Sequence, residues 1–307
     1  MVRKLREWAT KMDNITRIIS TIRYKNNACF FDSISNCKYA NIKGEALAVL
    51  AYGKTGARKS NDIDILTSRK DFGYIENALL NDGYHSNTNR MSRIMLLSQS
   101  HQIAPYIRKT GQIELNIDIN FDIFWGEYTG NRIELEDFLS DTIEMEIYGV
   151  KVKSLPPLKA MIQLILHHYK DMNSLFLLAT RKSIKYEMFK DVYYLLKNNL
   201  EAISLDKLYE ISAEYEIIPY VYYVLYHTGQ LYNDEILQQY IEEFKTPEGE
   251  MLLNCYGLNE SERREWRCDF KTRLESENLY DLIKDDLTER DHEKIAINRR
   301  VFLGGTE

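Results

Sequence analysis

Cysteine is scarce in this sequence, and its few copies lack the spacing that cysteine-based metal sites use. The 307-residue chain has four cysteines, and no two of them form a Cys-x-x-Cys pair. Zinc ribbons and disulfide frameworks need cysteines that are closely spaced or numerous. We therefore expect free thiols and a cytoplasmic location, and we do not expect a zinc site built from cysteines.

Long apolar runs are missing as well. No stretch of about 18 apolar residues occurs, which is the length that a membrane-spanning helix needs. The first residues, MVRKLREWATKMDNITRIIS, are charged throughout and lack the apolar centre of a secretory signal. The sequence therefore predicts a soluble protein without a membrane partner.

An excess of positive charge is the third absence. The formal net charge is −6 and the pI is about 5.7. Hydrophobic residues make up 44% of the chain and charged residues 28%, which is typical of globular proteins. The acidic balance disfavours a protein whose main task is to coat nucleic acid.

The apolar pattern divides the chain into an α+β part and a helical part. It predicts helices at 5–24, 45–53 and 69–83, and strands at 38–44, 62–68, 92–99, 105–125 and 142–155, with hairpin turns at 109–111 and near 148–149. From 159 to 243, apolar residues recur every three or four positions, which is typical of helices. Because Pro156 and Pro157 suit a helix start, we predict domains at 1–154 and 155–307, and leave the fold of the charged stretch 246–307 open.

Two glycine-containing stretches invite a phosphate-binding interpretation. Gly53-Lys54-Thr55 is similar to the end of a P-loop, but that motif needs a glycine at position 48, where the chain has alanine. Gly44 lies where a predicted strand meets the start of a helix. A glycine there lets a phosphate approach the backbone, and the helix dipole attracts the phosphate charge. Such turns are also common for purely structural reasons.

Asp62 and Asp64 form an Asp-Ile-Asp stretch on a predicted strand. Side chains alternate along a strand, so both carboxylates lie on one face, with Ile63 and Ile65 on the other. Paired carboxylates suit hard cations such as Mg²⁺. The alternative is the solvated face of a surface strand.

A second acidic strand follows later in the chain. In QIELNIDINFDIFW, polar and apolar residues alternate, and the polar positions are Glu114, Asn116, Asp118, Asn120 and Asp122. A neighbouring strand could bring one of these acids beside Asp62 and Asp64. Three carboxylates that hold two metal ions about 3.5–4 Å apart form the arrangement used for in-line attack on phosphorus.

The stretch IKGEALAVLAYGKTGARKSNDIDIL resembles the bacterial family of uncharacterised nucleotidyltransferases, within the DNA polymerase beta-type nucleotidyltransferase superfamily. The shared features are Lys-Gly before the first helix and the Arg-x-x-x-Asp-h-Asp-h-Leu block from Arg58 to Leu66. The resemblance extends over residues 30–230. It implies a nucleotidyltransferase-type mixed β-sheet with flanking helices in the first domain, followed by a mostly helical domain that forms a lid or selects the acceptor.

The resemblance also implies site residues. Asp62 and Asp64 would bind metal, and Glu114 would be the third catalytic carboxylate, because the later family strand reads acid-Leu-His where this chain reads Glu114-Leu115-Asn116. Asp118 is the alternative third ligand. The residues expected to bind the triphosphate are Lys43, Gly44, Arg58 and Ser60. The wider superfamily has Gly-Ser or Gly-Gly at the turn, whereas Gly44 is followed here by Glu45.

The implied reaction moves a nucleoside monophosphate from a nucleoside triphosphate, such as ATP, to an acceptor, and two Mg²⁺ ions are the expected cofactors. The acceptor is a small molecule, a peptide or protein, or an RNA end, and the acidic pI favours the first two. The base of the donor is left open. The alternative hypothesis is a toxin–antitoxin or regulatory protein that keeps the fold, binds a protein partner and has little turnover.

His167 and His168 are adjacent on a predicted helix. Neighbouring helical side chains point about 100° apart, so we expect that these two cannot bind one metal ion together. A role for His167 at the active site is a secondary hypothesis.

Overall fold

A computed structural model of the chain describes residues 15–126, 128–180 and 183–303. It contains two compact units, one formed by Met1–Asp122 with Ile133–Ala160, the other by Ile123–Arg132 with Met161–Glu307. The predicted division at 154/155 stays a prediction. The observed units differ from it in two places, because the first extends to Ala160 and residues 123–132 pack with the second.

The first unit is built on a mixed β-sheet. Its strands are β1 (Tyr39–Ile42), β2 (Ile63–Thr67), β3 (His85–Ser86), β4 (Tyr106–Thr110), β5 (Ile113–Asn120), β6 (Ile143–Ile147) and β7 (Val150–Ser154). The seven strands lie in the order β3-β4-β5-β2-β1-β7-β6. β2 runs parallel to β5 and antiparallel to β1, and β1 runs parallel to β7. The centre of the sheet is thus β5-β2-β1, which carries three of the four predicted carboxylates, Asp64, Glu114 and Asp118.

The helices of the first unit precede the first strand or connect the later strands along the chain. Residues 15–26 are helical (α1), and the part of the predicted N-terminal helix at 5–14 lies outside the described residues. The others are α2 (Ala28–Ser33), α3 (Gly44–Tyr52), α4 (Arg69–Asn81), α5 (Arg90–Gln99) and α6 (Leu135–Phe138). The long helix α7 (Pro157–Asn173) begins in the first unit and continues in the second.

One predicted strand is wrong. Residues 92–99 belong to helix α5, whose N-cap residue Asn89 accepts a hydrogen bond from the Ser92 backbone N–H at 2.9 Å. Ile94 and Met95 are exposed, and Leu96 is buried. A short apolar run fits a strand or a helix equally well, and the asparagine cap decides for the helix here.

The second unit is mainly helical. Its elements after α7 are α8 (Leu175–Thr180), α9 (Tyr186–Lys197), α10 (Leu205–Glu214), α11 (Ile218–Gly229), α12 (Glu235–Glu243), α13 (Pro247–Leu253), β8 (Cys255–Tyr256), β9 (Arg264–Glu265), α14 (Phe270–Glu275), α15 (Tyr280–Ile283) and α16 (Glu289–Leu303). Within the stretch 246–307, left open above, the described residues 246–303 are mainly helical with one short antiparallel hairpin. Within α11, Val221, Tyr223 and Leu225 are all buried, as expected for a helix surrounded by neighbours.

The four cysteines are free. Among the described residues, none of the helices combines the length and the apolarity needed to cross a membrane.

Candidate active site

Parallel pairing of β2 and β5 brings two predicted site residues side by side. Asp64 and Asp118 are direct partners in the register, and the flanking pair is Ile63 with Ile117. The isoleucines are buried on the opposite face, and this burial fixes the face that the carboxylates occupy. Asp62 precedes β2 by one residue and shares the face of Asp64. We call Asp62, Asp64 and Asp118 the aspartate cluster.

The three carboxylates perturb one another's ionisation. Burial, reinforced by the negative charges of Asp64 and Asp62, raises the pKa of Asp118 to about 7. Burial and the charge of Asp64 also raise the pKa of Asp62, whereas Lys43 and Arg23 act in the opposite direction. Asp62 and Asp118 are therefore less stable as anions than they would be in water, which is the condition that a bound cation relieves.

The turn after β1 supplies a cation to the cluster. Ile42, the last residue of β1, pairs with Asp64, and the next residue, Lys43, places its Nζ 2.6 Å from Asp64 Oδ1. Lys43 and Gly44 both have positive φ, 58° and 43°. A Cβ on Gly44 would lie 3.0 Å from Ser60 Oγ. Glycine is thus required by both the backbone conformation and the close approach of Ser60.

Residues 53–62 join α3 to β2, and we call them the phosphate loop. Glu45, in the first turn of α3, is buried, and its Oε2 accepts the Gly56 backbone N–H at 2.7 Å. Its Oε1 accepts the hydroxyl of Tyr148 at 3.0 Å. Glu45 therefore binds the middle of the loop to α3, which explains why an acid follows Gly44. Its position after the glycine was a signal in the sequence, but Tyr148 is distant in the chain.

Arg23 is a second residue that the sequence analysis missed. This buried residue of α1 donates from Nη1 to the Ser60 carbonyl oxygen at 3.0 Å. Burial lowers its pKa, and the charge of Asp62 counteracts that effect. Ser60 Oγ in turn donates to the Asp62 carbonyl oxygen at 2.8 Å. Arg23 thus supports the end of the phosphate loop, and nothing in the local sequence of α1 indicated this.

Glu114, the preferred third carboxylate from the sequence, is not brought to the cluster. It is exposed and pairs with Lys109 of β4. Four residues along a strand separate it from Asp118 by about 13 Å. The alternation of β5 gave both acids the same face, but only the register with β2 shows which one lies beside Asp64. Arg58 lies half-buried in the phosphate loop.

The two histidines also differ from expectation. Ligand atoms of His167, His168 and Asp171 all lie within 4.8 Å of one another. This proximity runs against the expectation that adjacent histidines cannot share an ion, which stays a prediction. Asp171 lies about one turn after His167. Viewed along the helix axis, its side chain projects between the side chains of the two histidines.

The aspartate cluster fits the magnesium implied by the resemblance. Its donors are oxygen atoms only, and Mg²⁺ binds through one or two carboxylates together with water and substrate phosphates. One lysine ion pair does not balance three partly buried carboxylates. Burial raises the pKa of Asp118, and the charges of Asp64 and Asp62 add to this effect in spite of the nearby ammonium of Lys43.

The mixed seven-stranded sheet with flanking helices is a nucleotidyltransferase-type fold. Residues 33–233 match the family described as "Uncharacterised nucleotidyltransferase", and the chain belongs to that family. The family gives the chain a general role in nucleotidyl transfer. The match begins after α1, so Arg23 lies outside it.

Two further comparisons contribute little to the family assignment. A similar solved structure is the crystal structure of an antigenic nucleotidyltransferase-like protein from Paracoccidioides brasiliensis, at 14% identity and a TM-score of 0.38, covering 74% of this chain and 92% of that chain. No similar relative was found among curated proteins. The family assignment therefore rests on the sequence match.

Proposed function

We propose that this chain is a Mg²⁺-dependent nucleotidyltransferase that moves a nucleoside monophosphate from a nucleoside triphosphate to an acceptor hydroxyl or phosphate. The observation that carries this proposal is the register of β2 and β5, which pairs Asp64 with Asp118. The ion pair of Asp64 with Lys43 and the positive-φ turn beside it support the same assignment.

Asp62, Asp64 and Asp118 are the residues that would hold the metal ions. Bound there, Mg²⁺ would neutralise triphosphate charge and lower the pKa of the attacking group. Lys43 already neutralises part of the charge of Asp64, so the cluster is held together in the protein alone.

In the transfer step, the acceptor oxygen forms a bond to the α-phosphorus while the bond from that phosphorus to the oxygen bridging to the β-phosphate breaks. Pyrophosphate leaves with the electron pair of the broken bond. Asp118 accepts the proton of the acceptor hydroxyl. Asp118 takes the role that the sequence analysis gave to Glu114.

The phosphate loop and the turn at Gly44 would receive the triphosphate. Gly44 lets a phosphate approach the backbone N–H groups at the start of α3. Lys43, Ser60 and Arg58 supply an ammonium, a hydroxyl and a guanidinium, and the guanidinium can bind phosphate with two parallel hydrogen bonds. The contacts of Glu45 and Arg23 hold this loop in place before nucleotide arrives.

A small molecule or a peptide is the favoured acceptor. The net charge of −6 opposes a long polyanion, because binding to nucleic acid depends on basic residues that contact phosphates. The base of the donor, ATP or another nucleoside triphosphate, depends on side chains that the family match does not identify.

Calorimetric titration of the four nucleoside triphosphates, with Mg²⁺ and with EDTA, tests the proposal. We expect saturable, Mg²⁺-dependent binding of at least one nucleotide by the wild-type protein and none by the Asp62→Ala/Asp64→Ala variant. Glu146→Gln, an exposed acid of β6 in the same sheet, is the matched control and should bind as wild type. Absence of binding by folded wild-type protein would overturn the proposal.

A further inference from the structure

A second group of metal-ligating side chains lies on α7, in residues that belong to the second unit. It consists of His167, His168 and Asp171, which we call the histidine cluster. His168 and Asp171 are buried, and the side chain of His167 is 18% exposed. One side of the cluster is therefore open to an entering ion, while the other two donors are enclosed by protein.

The donor set differs chemically from the aspartate cluster. Two imidazoles and one carboxylate are the ligands of zinc-type sites, whereas Mg²⁺ prefers oxygen alone. Imidazole suits Zn²⁺, Co²⁺ and Ni²⁺ much better than it suits Mg²⁺. An ion bound here would therefore not be the ion proposed for nucleotidyl transfer.

The geometry is close to what such an ion needs. Donors at about 2.0–2.2 Å from a tetrahedral zinc ion lie roughly 3.4 Å apart. His167 Nε2 and Asp171 Oδ2 are 3.2 Å apart, and all donors of the cluster lie within 4.8 Å of one another. Rotation of the side chains would bring the larger donor separations to the required value. The helix backbone need not change, because the three residues lie within five consecutive positions.

The carboxylate of the cluster has a lysine beside it in the chain. The carboxylate of Asp171 is buried, and the ammonium of Lys170 stands 3.9 Å from its Oδ1, a distance too long for a hydrogen bond. The lysine side chain is flexible and can move toward solvent when a divalent ion binds the carboxylate.

We propose that His167, His168 and Asp171 bind one transition-metal ion of the zinc class, with three protein ligands and a fourth position for water. The ion connects three residues of a single helix. This proposal does not depend on the proposed nucleotidyl transfer.

The test uses the full-length protein dialysed against Zn²⁺ and then against metal-free buffer, with bound zinc measured by elemental analysis. We expect one retained equivalent in the wild-type protein and in the Asp62→Ala/Asp64→Ala variant, which lacks the proposed magnesium ligands. Replacement of zinc by Co²⁺ should give the visible absorption of a low-symmetry site. His167→Gln and Asp171→Asn should each lose the retained ion and the absorption.

His85→Gln, which removes an exposed histidine of β3, is the control for adventitious surface binding and should keep the equivalent. If Asp171→Asn fails to fold, His167→Gln alone decides, because His167 is only half-buried. Zinc that is not retained by the wild-type protein, or zinc that is lost equally from the His85 variant, would overturn the proposal.

Discussion

The aspartate cluster and the histidine cluster are assembled in opposite ways. The first takes Asp62 and Asp64 from the start of β2 and Asp118 from β5, with Lys43 of the turn after β1 beside them, so that strands distant in sequence must pair in one register. The histidine cluster takes its three residues from one helix, within five consecutive positions. The first cluster therefore exists only when the sheet is correctly built, whereas the second needs only one formed helix.

Because of this difference, residues that are distant in the sequence should affect the aspartate cluster more than the histidine cluster. Beside the aspartate cluster, contacts made by Glu45, Tyr148 and Arg23, which are not members of the cluster, hold the phosphate loop. Changes at those positions should reach the site, although none of the three is a proposed metal ligand.

Lys43→Ala should destabilise the protein most. It leaves Asp64 buried without the ammonium 2.6 Å away, and removal of one partner of a buried ion pair costs about 3 kcal/mol. We expect Mg²⁺ to restore part of the free energy of unfolding, because the ion replaces the lost charge. Chemical denaturation with Mg²⁺ and with EDTA measures both effects. Lys151→Ala, an exposed lysine of β7, should change neither value, and a Lys43 variant as stable as wild type in EDTA would contradict the ion-pair role.

Glu45→Ala should weaken nucleotide binding more than Tyr148→Phe does. The first change removes the acceptor of the Gly56 N–H and of the Tyr148 hydroxyl, and each hydrogen bond to a charged group contributes about 1.5–3 kcal/mol. The second change removes only the hydroxyl and leaves Gly56 bound. Calorimetry should show a dissociation constant raised about tenfold or more for Glu45→Ala. Equal effects of the two variants would show that the Gly56 contact does not position the loop.

Gly44→Ala should cost more stability than Gly53→Ala. Both glycines have positive φ, and an alanine in the left-handed region costs about 1–2 kcal/mol. A methyl group at position 44 would also lie 3.0 Å from Ser60 Oγ, whereas nothing lies within 4 Å of one at position 53. Thermal unfolding of both variants isolates the contribution of the Ser60 contact. The two variants should unfold alike only if Ser60 is free to move away.

A fourth expected effect concerns pH. The pKa of Asp118 is about 7 in the folded chain and about 3.9 in an unfolded one, so between these values the folded state holds a proton that the unfolded state has lost. The contribution of this group to the free energy of unfolding is complete below pH 4 and is lost as the pH rises to 7. Asp118→Asn should therefore gain stability relative to wild type over that range, in EDTA. A constant difference between the two proteins would contradict the raised pKa.

Local patterns predicted much of the sheet and the faces of its strands. The alternation of β2 and β5 correctly placed Asp62, Asp64 and Asp118 on polar faces, and the turn before α3 was located by Gly44. Alternation has a period of two residues, however, so it gives Glu114 and Asp118 the same face. Only the pairing of β2 with β5, a long-range contact, separates them.

Other features could not be predicted for related reasons. Arg23 and Tyr148 reach the phosphate loop from distant parts of the chain, and a single sequence holds no record of that proximity. The apolar run in α5 is too short for its period to distinguish a strand from a helix. For the histidine cluster, the angle between neighbouring helical side chains predicted that the two imidazoles point apart. The ligand atoms of His167, His168 and Asp171 nevertheless lie within 4.8 Å of one another.

The most direct test of the central claim compares the two acids of β5. Mg²⁺-dependent binding of the nucleoside triphosphate should be measured by calorimetry for wild type, Asp118→Asn and Glu114→Gln. We predict that Asp118→Asn reduces the affinity strongly and that Glu114→Gln, exposed and paired with Lys109, binds as wild type. Normal binding by Asp118→Asn together with lost binding by Glu114→Gln would contradict the account, because the site would then not be the one that β2 and β5 assemble.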